Sequence, residues 1–431
     1  MKKVCMFGLG FVGLPLALSF SMRGCEVVGV DIEADLVEDL NNGVTHHLEN
    51  YEGKPIQEIL SEQLAAGRFK AIANGAAAMQ ECDNIIVTVG IPVEDYEHDM
   101  TPLIEVCRTV GQGLKMGDLV LIRSTVIPGT TKDIIMPLLE KESGLKAGVD
   151  FYLAYSSERI AEGKAFHEFE NMPAALAGIN PESTQKAFEL MSIVTKAPIA
   201  QASRMEVVEA AKVMENISRD VDIAMVNEFA KFCKAMGVDI FELVSIANTH
   251  DRVNLLTPGP GVGGYCLPNA LFYLLPKAKE LDVNLELLST ARRVNEDMPR
   301  YVANLVLRNL PVAPGLAKIA VFGLAMKDYS NDDRVSPAHS VVSNLIDAGC
   351  EVKAFDPAVP EDYDFKVDSI EDAVKDAHGI VVLTKQNGID YMDLDRFYGL
   401  MSKEGTPFIV DTKNLYEPEL VNGKGFKLER L

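Results

Sequence analysis

The sequence predicts an α/β protein in which two doubly wound domains are joined by a helical segment. The first observation is a β-α-β pattern that occurs twice, from Lys3 to Asp31 and again from Lys318 to Asp356. In each copy an apolar strand leads through a glycine-containing turn and a helical stretch to a second strand that ends in aspartate. The second observation is that continuous apolar runs alternate with helical patterns, which is typical of parallel sheets covered on both faces.

Composition limits the class of protein. The chain has 431 residues, of which 48% are hydrophobic and 24% charged, and this indicates two or three folded domains. A formal net charge of -22 disfavours nucleic acid and anionic membranes as partners, so an anionic ligand would need a local cationic pocket. The apolar N-terminus resembles a secretory signal, but its glycine spacing argues against one. Nothing in the remaining sequence predicts a transmembrane span.

Cysteine and histidine usage gives two further expectations. Seven scattered cysteines without a CxxC pair favour free thiols in a reducing cytoplasm. The adjacent His46 and His47 lack partners at ligand spacing, so we expect no metal site.

Further strands extend both copies. In the first copy they are predicted near Asn84, Leu119, Phe151 and Ala174, and in the second copy they are "GIVVLT" and "PFIVDT". We therefore expect an N-terminal domain over residues 1–200, a helical domain over 201–300 and a C-terminal domain over 301–431.

The middle of the chain has helical patterns nearly throughout, from residue 203 to about 300. Its first segment, "SRMEVVEAAKVMENISRDVDIAMVNEFAKFCKAMG", has no internal proline or glycine and would be about 50 Å long as one helix. A long helix with two apolar sides is more often shared between subunits than left half exposed. This predicts a homodimer, or a higher assembly built from one.

A dinucleotide motif opens the first copy. Gly8, Gly10 and Gly13 form G-x-G-x-x-G directly after a strand and at the start of a helix. Such glycines let the backbone approach a pyrophosphate, whose charge the helix N-terminus stabilises. Asp31 ends the next strand, where its carboxylate can accept a hydrogen bond from a ribose 2'-hydroxyl and would repel a 2'-phosphate. We therefore expect a Rossmann-like domain that binds NAD in preference to NADP.

The second copy has "GLAMKD" in place of this motif, so it keeps the fold without the dinucleotide signature. Lys327 and Arg334 lie in its longer turn. They are either solvated surface cations or ligands for an anion.

Polar residues at three places could carry chemistry. Lys212 and Asn216 lie one turn apart on the long helix, where they could hold an alcohol and stabilise an oxyanion, or form only a polar surface stripe. Glu158 and Glu162 follow a predicted strand, where paired carboxylates suit proton transfer or water positioning, although loop glutamates are commonly just solvated. Thr125 lies at the end of another strand.

The segment "GPGVGGYCLPN" places Cys266 behind four glycines. A thiol used together with a hydride-accepting cofactor suggests oxidation of a carbonyl through a thiohemiacetal, followed by hydrolysis of a thioester. The glycines would then admit a bulky substrate against the backbone. On spacing alone, a buried structural cysteine in a tight loop is the alternative.

In combination these motifs resemble the nucleotide-sugar 6-dehydrogenases, the family of the UDP-glucose and GDP-mannose dehydrogenases. The resemblance covers essentially the whole chain and rests, in order, on "GLGFVGLPLA", "STVIPGTT", "SERIAEGKA", "EAAKVMENISRDVDIAMVNE", "GPGVGGYC", "GLAMKD" followed by "DDR", and "FDP". It implies two Rossmann-like domains joined by a helical dimer core, and oxidation of a sugar C6 hydroxyl to a carboxylate by two NAD.

The resemblance also implies roles for individual residues. Cys266 would be the thioester nucleophile, Lys212 and Asn216 would hold the C6 oxygen, and Glu158, Glu162 and Thr125 would assist proton transfer and water positioning. The NAD site would comprise Gly8, Gly10, Phe11, Val12, Gly13, Asp31, Thr88, Val89, Thr125 and Arg334. The nucleotide sugar would be contacted by Arg159, Lys212, Asn216, Arg252, Gly261, Gly263 and Lys327, with Arg252 reaching the site of the partner subunit.

Within the family, "ERIAEGKAFHEF" and "GPGVGG" are more similar to the UDP-N-acetylhexosamine branch. This implies UDP-N-acetylmannosamine as substrate, with UDP-N-acetylglucosamine or UDP-glucose as alternatives, and a product used in polysaccharide synthesis. Two positions depart from the family pattern: Ala270 replaces an aspartate four residues after the cysteine, and Tyr265 replaces a histidine. Because the missing carboxylate would position the thiol and the hydrolytic water, we expect the second half-reaction to be slow or to use Glu158 instead.

Two other functions fit part of the pattern. A two-electron hydroxy-acid dehydrogenase also combines G-x-G-x-x-G with a helical Lys-x-x-x-Asn, but it needs neither Cys266 nor a second Rossmann-like domain. A non-catalytic nucleotide-sugar sensor would keep both pockets, and Ala270 is the residue that favours it.

Overall fold

The computed structural model describes residues 2–94, 97–160 and 163–431. The chain divides into two compact units, one of Met1–Glu215 with Phe272–Val283 and one of Asn216–Leu271 with Asn284–Leu431. The predicted boundaries at residues 200 and 300 stay a prediction. None of the helices in the described ranges is long and apolar enough to span a membrane.

The first unit alternates strands and helices along the chain. Its strands and helices up to residue 201 are β1 (Lys3–Phe7), α1 (Gly13–Met22), β2 (Glu26–Val30), α2 (Ala34–Asn41), β3 (Asn50–Tyr51), β4 (Lys54–Pro55), α3 (Ile56–Ala65), β5 (Phe69–Ile72), α4 (Gly75–Glu81), β6 (Asn84–Val87), β7 (Val93–Glu94), β8 (Glu97–His98), α5 (Thr101–Gly113), β9 (Leu119–Ile122), a π-helical turn (Thr131–Ile135), α6 (Met136–Ser143), β10 (Tyr152–Ser156), α7 (Ala165–Asn171), β11 (Ala174–Gly178), α8 (Pro181–Met191) and β12 (Ile199–Gln201). Eight strands form one sheet in the order β12-β11-β10-β9-β6-β1-β2-β5. The strands predicted from the sequence are all present, which confirms the doubly wound fold, while β5 and β12 were not predicted.

Two neighbouring strands of this sheet, β11 and its parallel partner β12, depart from the predicted parallel arrangement. β11 pairs antiparallel with β10, whereas β10 pairs in parallel with β9. Antiparallel neighbours are connected at the same edge of the sheet, so the segment after β10, which contains α7, returns to the edge at which β10 ends. The sheet is therefore mixed at this end, as many large α/β sheets are.

The second unit repeats the arrangement on a smaller sheet. The rest of the chain forms α9 (Met205–Met236), α10 (Ile240–Ala247), α11 (Cys266–Glu280), α12 (Glu286–Arg308), a 3-10 turn (Pro314–Leu316), β13 (Lys318–Phe322), α13 (Pro337–Asp347), β14 (Glu351–Phe355), α14 (Ile370–Val374), β15 (Gly379–Val382), α15 (Leu394–Leu400), β16 (Phe408–Asp411), α16 (Pro418–Gly423) and β17 (Lys427–Arg430). Five parallel strands lie in the order β14-β13-β15-β16-β17. α9 and α11 each contain residues of both units.

The two copies of the β-α-β pattern pair their strands in the same register. β1 pairs with β2 from Lys3 opposite Glu26, and β13 pairs with β14 from Lys318 opposite Glu351, so the first residues of the two strands face each other in both copies. In the first copy α1 is buried from Gly13 to Ser21, so it covers the sheet along almost its whole length. In the second unit one core cluster joins α9, α12 and α13 to one face of the sheet.

The middle of the chain is less helical than the sequence predicts. α9 is a single helix of 32 residues, as expected from the segment without proline or glycine. Between Ala247 and Cys266, however, the chain is irregular. Prolines at 258 and 260 remove backbone donors, and Gly261 and Gly264 have φ of +138° and +81°, so this segment cannot continue a helix.

Candidate functional site

A crevice forms in the first sheet where its winding reverses. The chain proceeds from β1 to β2 and β5 on one side and then returns to β6 on the other, and ligands of doubly wound sheets bind at the carboxyl ends of such a strand pair. Gly8 follows β1 and Thr88 follows β6. The Thr88 hydroxyl lies 3.0 Å from the carbonyl oxygens of Phe7 and Gly8, which ties the two strand ends together, and Val89 follows it along this edge.

The three glycines of this turn have different reasons to be glycine. Gly8 has a φ of +92°. A Cβ on Gly13 would lie 1.8 Å from the Gly8 carbonyl oxygen, so close packing of α1 against the turn requires glycine there. A Cβ on Gly10 would meet no protein atom within 4 Å. Since the protein itself does not require glycine at position 10, the open space suits a ligand that approaches the backbone.

The start of α1 also suits an anion. Its N-cap residue, Val12, provides no side-chain hydrogen bond, and its first turn contains no acidic residue. The start of α1 therefore has no capping side chain. Leu14 N donates to Gly10 O at 3.2 Å and Pro15 has no N–H, but the positive end of the helix dipole still favours a phosphate group at this turn. The residues of this crevice fit a dinucleotide.

Asp31 and Asp356 occupy equivalent positions but are used differently. Asp31 Oδ2 accepts a hydrogen bond from Leu9 N at 2.8 Å, and Asp356 Oδ2 accepts one from Leu324 N at 2.7 Å. Asp356 is buried and also accepts hydrogen bonds from Ala325 N, Ala358 N, Val359 N and Gln386 Nε2. Asp31 is only half-buried and otherwise accepts from Glu33 N. The first copy can thus offer a carboxylate to a ligand, while the second copy uses its carboxylate to hold its own turn.

An aromatic cluster flanks the glycine turn. The Phe11 ring lies 5.3 Å from the buried His47 ring and 6.0 Å from His46, and the two imidazoles stack at 4.5 Å. Burial, assisted by the neighbouring His46, lowers the pKa of His47 to about 4. Within residues 2–94, 97–160 and 163–431 no group of three metal-ligating side chains is present.

Paired charges occupy the strand ends beside this crevice, with Arg123 buried and Glu158 partly buried. The Glu158 carboxylate pairs with Arg123 and accepts hydrogen bonds from Arg159 N and Ile160 N at 2.6 and 2.8 Å. The Arg159 guanidinium pairs with Glu215 on α9. Thr125, at the end of β9, is half-buried. Glu162 lies outside the described residues.

Other strand-end hydroxyls are unsatisfied. Ser124 Oγ and Ser157 Oγ, after β9 and β10, are buried without a hydrogen-bond partner. On α9, Lys212 and Asn216 lie one turn apart and are both buried, at 9% and 8% exposure. This excludes the alternative that they form a solvated surface stripe.

The second unit contains a pocket of about 300 Å³ at the carboxyl ends of β13, β15 and β16, again where the winding reverses. Lys327, Lys385 and Lys413 line it with one carboxylate, Asp328. Asp328 Oδ1 lies 2.8 Å from Lys413 Nζ and accepts a hydrogen bond from Lys385 N at 3.0 Å. In a chain of net charge -22, this excess of cations makes the pocket suitable for an anion.

Residues 259–264, which we call the glycine segment, form part of the pocket wall through Gly259 and Gly261. A Cβ on Gly263 would lie 2.7 Å from Pro337 Cδ and 3.0 Å from Met326 Cβ, so glycine is needed at 263 for packing within the protein. A Cβ on Gly259 would meet no protein atom within 4 Å. The open side of Gly259 resembles that of Gly10.

Cys266 follows the glycine segment as the first residue of α11. It is exposed, whereas the other six cysteines are buried, so it is not the structural cysteine that the sequence left open. Ala270, one turn later, is buried, and Tyr265 is 37% exposed.

The two remaining predicted cations lie on loops of the second unit. Arg252 is exposed. Arg334 is more than half exposed and pairs with Asp332 at 2.6 Å.

Sequence reasoning missed the lysines at 385 and 413 and the partner of Glu158. A signal for the lysines was present, because β15 and β16 both run into a Thr-Lys pair, "LTK" and "DTK". Arg123 likewise stands at the end of β9, directly before the predicted Thr125 motif. Strand-end residues of neighbouring parallel strands lie at the same edge of the sheet, so repeated cations there indicate an anion site.

Comparison with known proteins gives matches over most of the chain. Residues 2–197, 206–297 and 320–418 match the NAD binding, central and UDP binding domains of the UDP-glucose/GDP-mannose dehydrogenase family. The UDP-N-acetyl-D-mannosamine dehydrogenase of Pyrococcus horikoshii is 37% identical over 89% of each chain. A solved structure described as that organism's UDP-D-ManNAc dehydrogenase matches with a TM-score of 0.91 and 34% identity, covering 100% of this chain and 99% of the other. The UDP-N-acetyl-D-glucosamine 6-dehydrogenase of Pseudomonas aeruginosa is 33% identical over 83% of each chain.

Proposed function

Because the chain belongs to the UDP-glucose/GDP-mannose dehydrogenase family, we propose that it oxidises the C6 hydroxyl of UDP-N-acetylmannosamine to a carboxylate. It is an NAD-dependent nucleotide-sugar dehydrogenase. The observation that carries the proposed chemistry is the exposed Cys266, directly behind a glycine segment that lines a lysine-rich pocket. The similarity to the Pyrococcus horikoshii enzyme supports the choice of sugar.

The proposed cofactor site uses the crevice of the first sheet. Gly8, Gly10 and Gly13 would bring the pyrophosphate to the start of α1, with Phe11, Val12, Thr88 and Val89 adjoining it, and Asp31 would accept a hydrogen bond from the ribose. We also propose Arg334 as a cofactor ligand, on the family resemblance alone. NAD, when bound, supplies the hydride acceptor for both oxidations.

The proposed chemistry of the chain has two stages. In the first, Lys212 and Asn216 hold the C6 oxygen, and the cationic Lys212 favours its negative charge as the alcohol loses a proton and a hydride. In the second, Cys266 Sγ bonds to C6 of the aldehyde, the resulting thiohemiacetal carbon gives up a second hydride, and water cleaves the thioester to release acid and thiol. Each sugar therefore reduces two NAD.

Glu158, Glu162 and Thr125 are proposed to position water and move protons in these steps. The ion pair of Glu158 with Arg123 favours a role of Glu158 in orienting water through its carboxylate oxygens. Ala270 provides no carboxylate, so we propose that thioester hydrolysis is the slower half-reaction.

The proposed nucleotide site is the pocket of the second unit. Lys327 would pair with the diphosphate, and Gly261 would present backbone to the nucleotide sugar, as would Gly263. Arg159 remains a proposed sugar ligand, although Glu215 now pairs with its guanidinium. Arg252 is proposed to act in the site of a partner subunit.

We also propose a homodimer, supported by an exposed apolar stripe on α9. Its members repeat at helical spacing on one side of the helix and are Val207, Met214, Met225, Phe229, Phe232 and Met236. Phe232→Glu should give a monomer in analytical ultracentrifugation, while Leu316→Glu, at an exposed residue of the 3-10 turn, should leave the mass unchanged. A dimer that persists in Phe232→Glu would exclude this face.

The free thiols of the chain support a cytoplasmic location, and the proposed product supports a role in polysaccharide synthesis.

The decisive experiment counts NADH formed per sugar consumed, with UDP-N-acetylmannosamine, UDP-N-acetylglucosamine, UDP-glucose and GDP-mannose each run to completion. Two NADH from the mannosamine sugar alone is the expected result. Two NADH from UDP-N-acetylglucosamine instead would select the alternative supported by the Pseudomonas aeruginosa relative. One NADH would mean that oxidation stops at the aldehyde, and none with any sugar would favour the sensor.

A further inference from the structure

A buried chain of polar side chains connects α9 and α12 to the glycine segment. Gly259 N donates to Asn227 Oδ1 at 3.0 Å, Asn227 Nδ2 donates to Asn295 Oδ1 at 2.9 Å, and Asn295 Nδ2 donates to Asp220 Oδ1 at 2.9 Å. Arg292 Nη1 also donates to Asp220 Oδ1, at 2.8 Å. None of these four residues is more than 4% exposed.

The direction of the hydrogen bonds fixes the orientation of each amide. Every donor points toward the Asp220 carboxylate, whose charge Arg292 balances. Asn227 accepts from Gly259 through its oxygen and donates to Asn295 through its nitrogen, because an amide oxygen only accepts and an amide nitrogen only donates. Buried amide networks that are satisfied in this way hold one geometry, since any rotation would leave a polar atom without a partner.

The glycine segment depends on this anchor for its position. A glycine has no side chain to pack, and nothing in the protein lies within 4 Å of the Cβ position of Gly259. The segment is next held at Gly261 and Gly263, whose Cβ positions would lie 3.1 Å from Pro337 Cβ and 2.7 Å from Pro337 Cδ. Gly261 lies in the pocket wall two residues after Gly259, and Cys266 follows Gly263 by three residues.

We propose that Asn227 is a positioning residue for the nucleotide sugar. It acts through Gly259, by fixing the depth of the pocket wall and the start of α11, and it does not touch the substrate. The inference rests on the proposed function for the identity of the ligand, but one of its tests does not involve a ligand.

The main variant is Asn227→Ala, and its matched control is Asn41→Ala. Asn41 in the first unit also makes two amide hydrogen bonds, donating to Ala71 O at 2.8 Å and accepting from Ala71 N at 3.0 Å. Both variants should lower Tm, because each removes two hydrogen bonds. Only Asn227→Ala should weaken UDP binding in calorimetry, by about tenfold, and raise the KM for the sugar with the KM for NAD unchanged.

The second readout is the rate at which iodoacetamide alkylates Cys266 in the absence of substrate, and mass spectrometry measures this rate. We expect this rate to change severalfold in Asn227→Ala and to stay at the wild-type value in Asn41→Ala. If wild-type protein neither binds UDP nor oxidises a sugar, the proposed function fails, and the alkylation result still decides whether Asn227 positions the segment.

Asn227→Asp is the conservative variant, and it tests the proposal if Asn227→Ala does not fold. It keeps the acceptor for Gly259 but turns a carboxylate toward Asn295 Oδ1, so Tm should fall while UDP binding and the alkylation rate stay close to wild type. Wild-type UDP binding and alkylation in Asn227→Ala, or loss of both in Asn227→Asp, would overturn the proposal.

Discussion

Replacing Gly10 and Gly13 by alanine separates a glycine that a ligand requires from one that the fold requires. The Cβ of Gly10→Ala would enter open space, since no protein atom lies within 4 Å of it. The Cβ of Gly13→Ala would lie 1.8 Å from Gly8 O and 2.8 Å from Thr88 Oγ1. The same chemical change, three residues apart, should therefore have opposite effects on stability and on cofactor binding.

The magnitudes follow from these distances. At position 13 the methyl group is well over 1 Å too close to a backbone oxygen, so the turn must shift, at a cost of about 3 kcal/mol or more. At position 10 the backbone has no positive φ to oppose alanine, and the fold should be unchanged or stabilised by roughly 0.5 kcal/mol. A pyrophosphate that approaches the turn would meet the new methyl group, and we expect the Kd for NAD to rise at least about tenfold.

Calorimetric titration with NAD, together with Tm by scanning calorimetry, checks both effects. The expected result is a Gly10→Ala protein with wild-type Tm and weakened NAD binding, and a Gly13→Ala protein with a lowered Tm. Wild-type NAD affinity in Gly10→Ala would refute the argument that the open space holds the cofactor. A large loss of Tm in that variant would show that the fold itself needs the glycine.

Three further predictions test the crevice, the repeat and the pocket. Because burial lowers the pKa of His47 from 6.5 to about 4, the unfolded chain protonates first, and stability should fall by up to about 3 kcal/mol between pH 6.5 and 4. Urea unfolding between pH 6.5 and 4 should show this fall in the free energy of unfolding, and His47→Gln should remove it. An equal fall in the variant would show that other groups cause it. Asp31→Asn should lower the preference for NAD over NADP in steady-state kinetics, whereas Asp356→Asn should lower Tm, as it weakens five hydrogen bonds, and leave that preference unchanged. Gly259→Ala keeps the hydrogen bond to Asn227 and should weaken UDP binding about tenfold without loss of Tm, and unchanged binding would place the ligand elsewhere.

Much of the fold could be predicted from the sequence because its signals are local. The strands β1, β6, β9, β13 and β15 are continuous apolar runs, and α9 is a long segment without proline or glycine. β5 is as long as β6, but the exposed Lys70 interrupts its apolar run, and β12 has only three residues. The antiparallel direction of β11 depends on how the chain returns after β10. Sequence patterns predict helix in the stretch before Cys266, which is irregular in the structure, although the prolines and glycines of this stretch are visible in the sequence.

The sequence by itself determined the doubly wound fold, the dinucleotide turn and the place of Cys266 behind its glycines, because each depends on neighbours a few residues apart. Tertiary structure decided what those residues touch. It joined Arg123 to Glu158, grouped Lys327, Lys385 and Lys413 around one pocket, and connected Asn227 to Gly259. Strand order and helix packing bring such residues together from distant parts of the chain, and a hydrogen bond or an ion pair forms only where that packing leaves its two atoms about 3 Å apart.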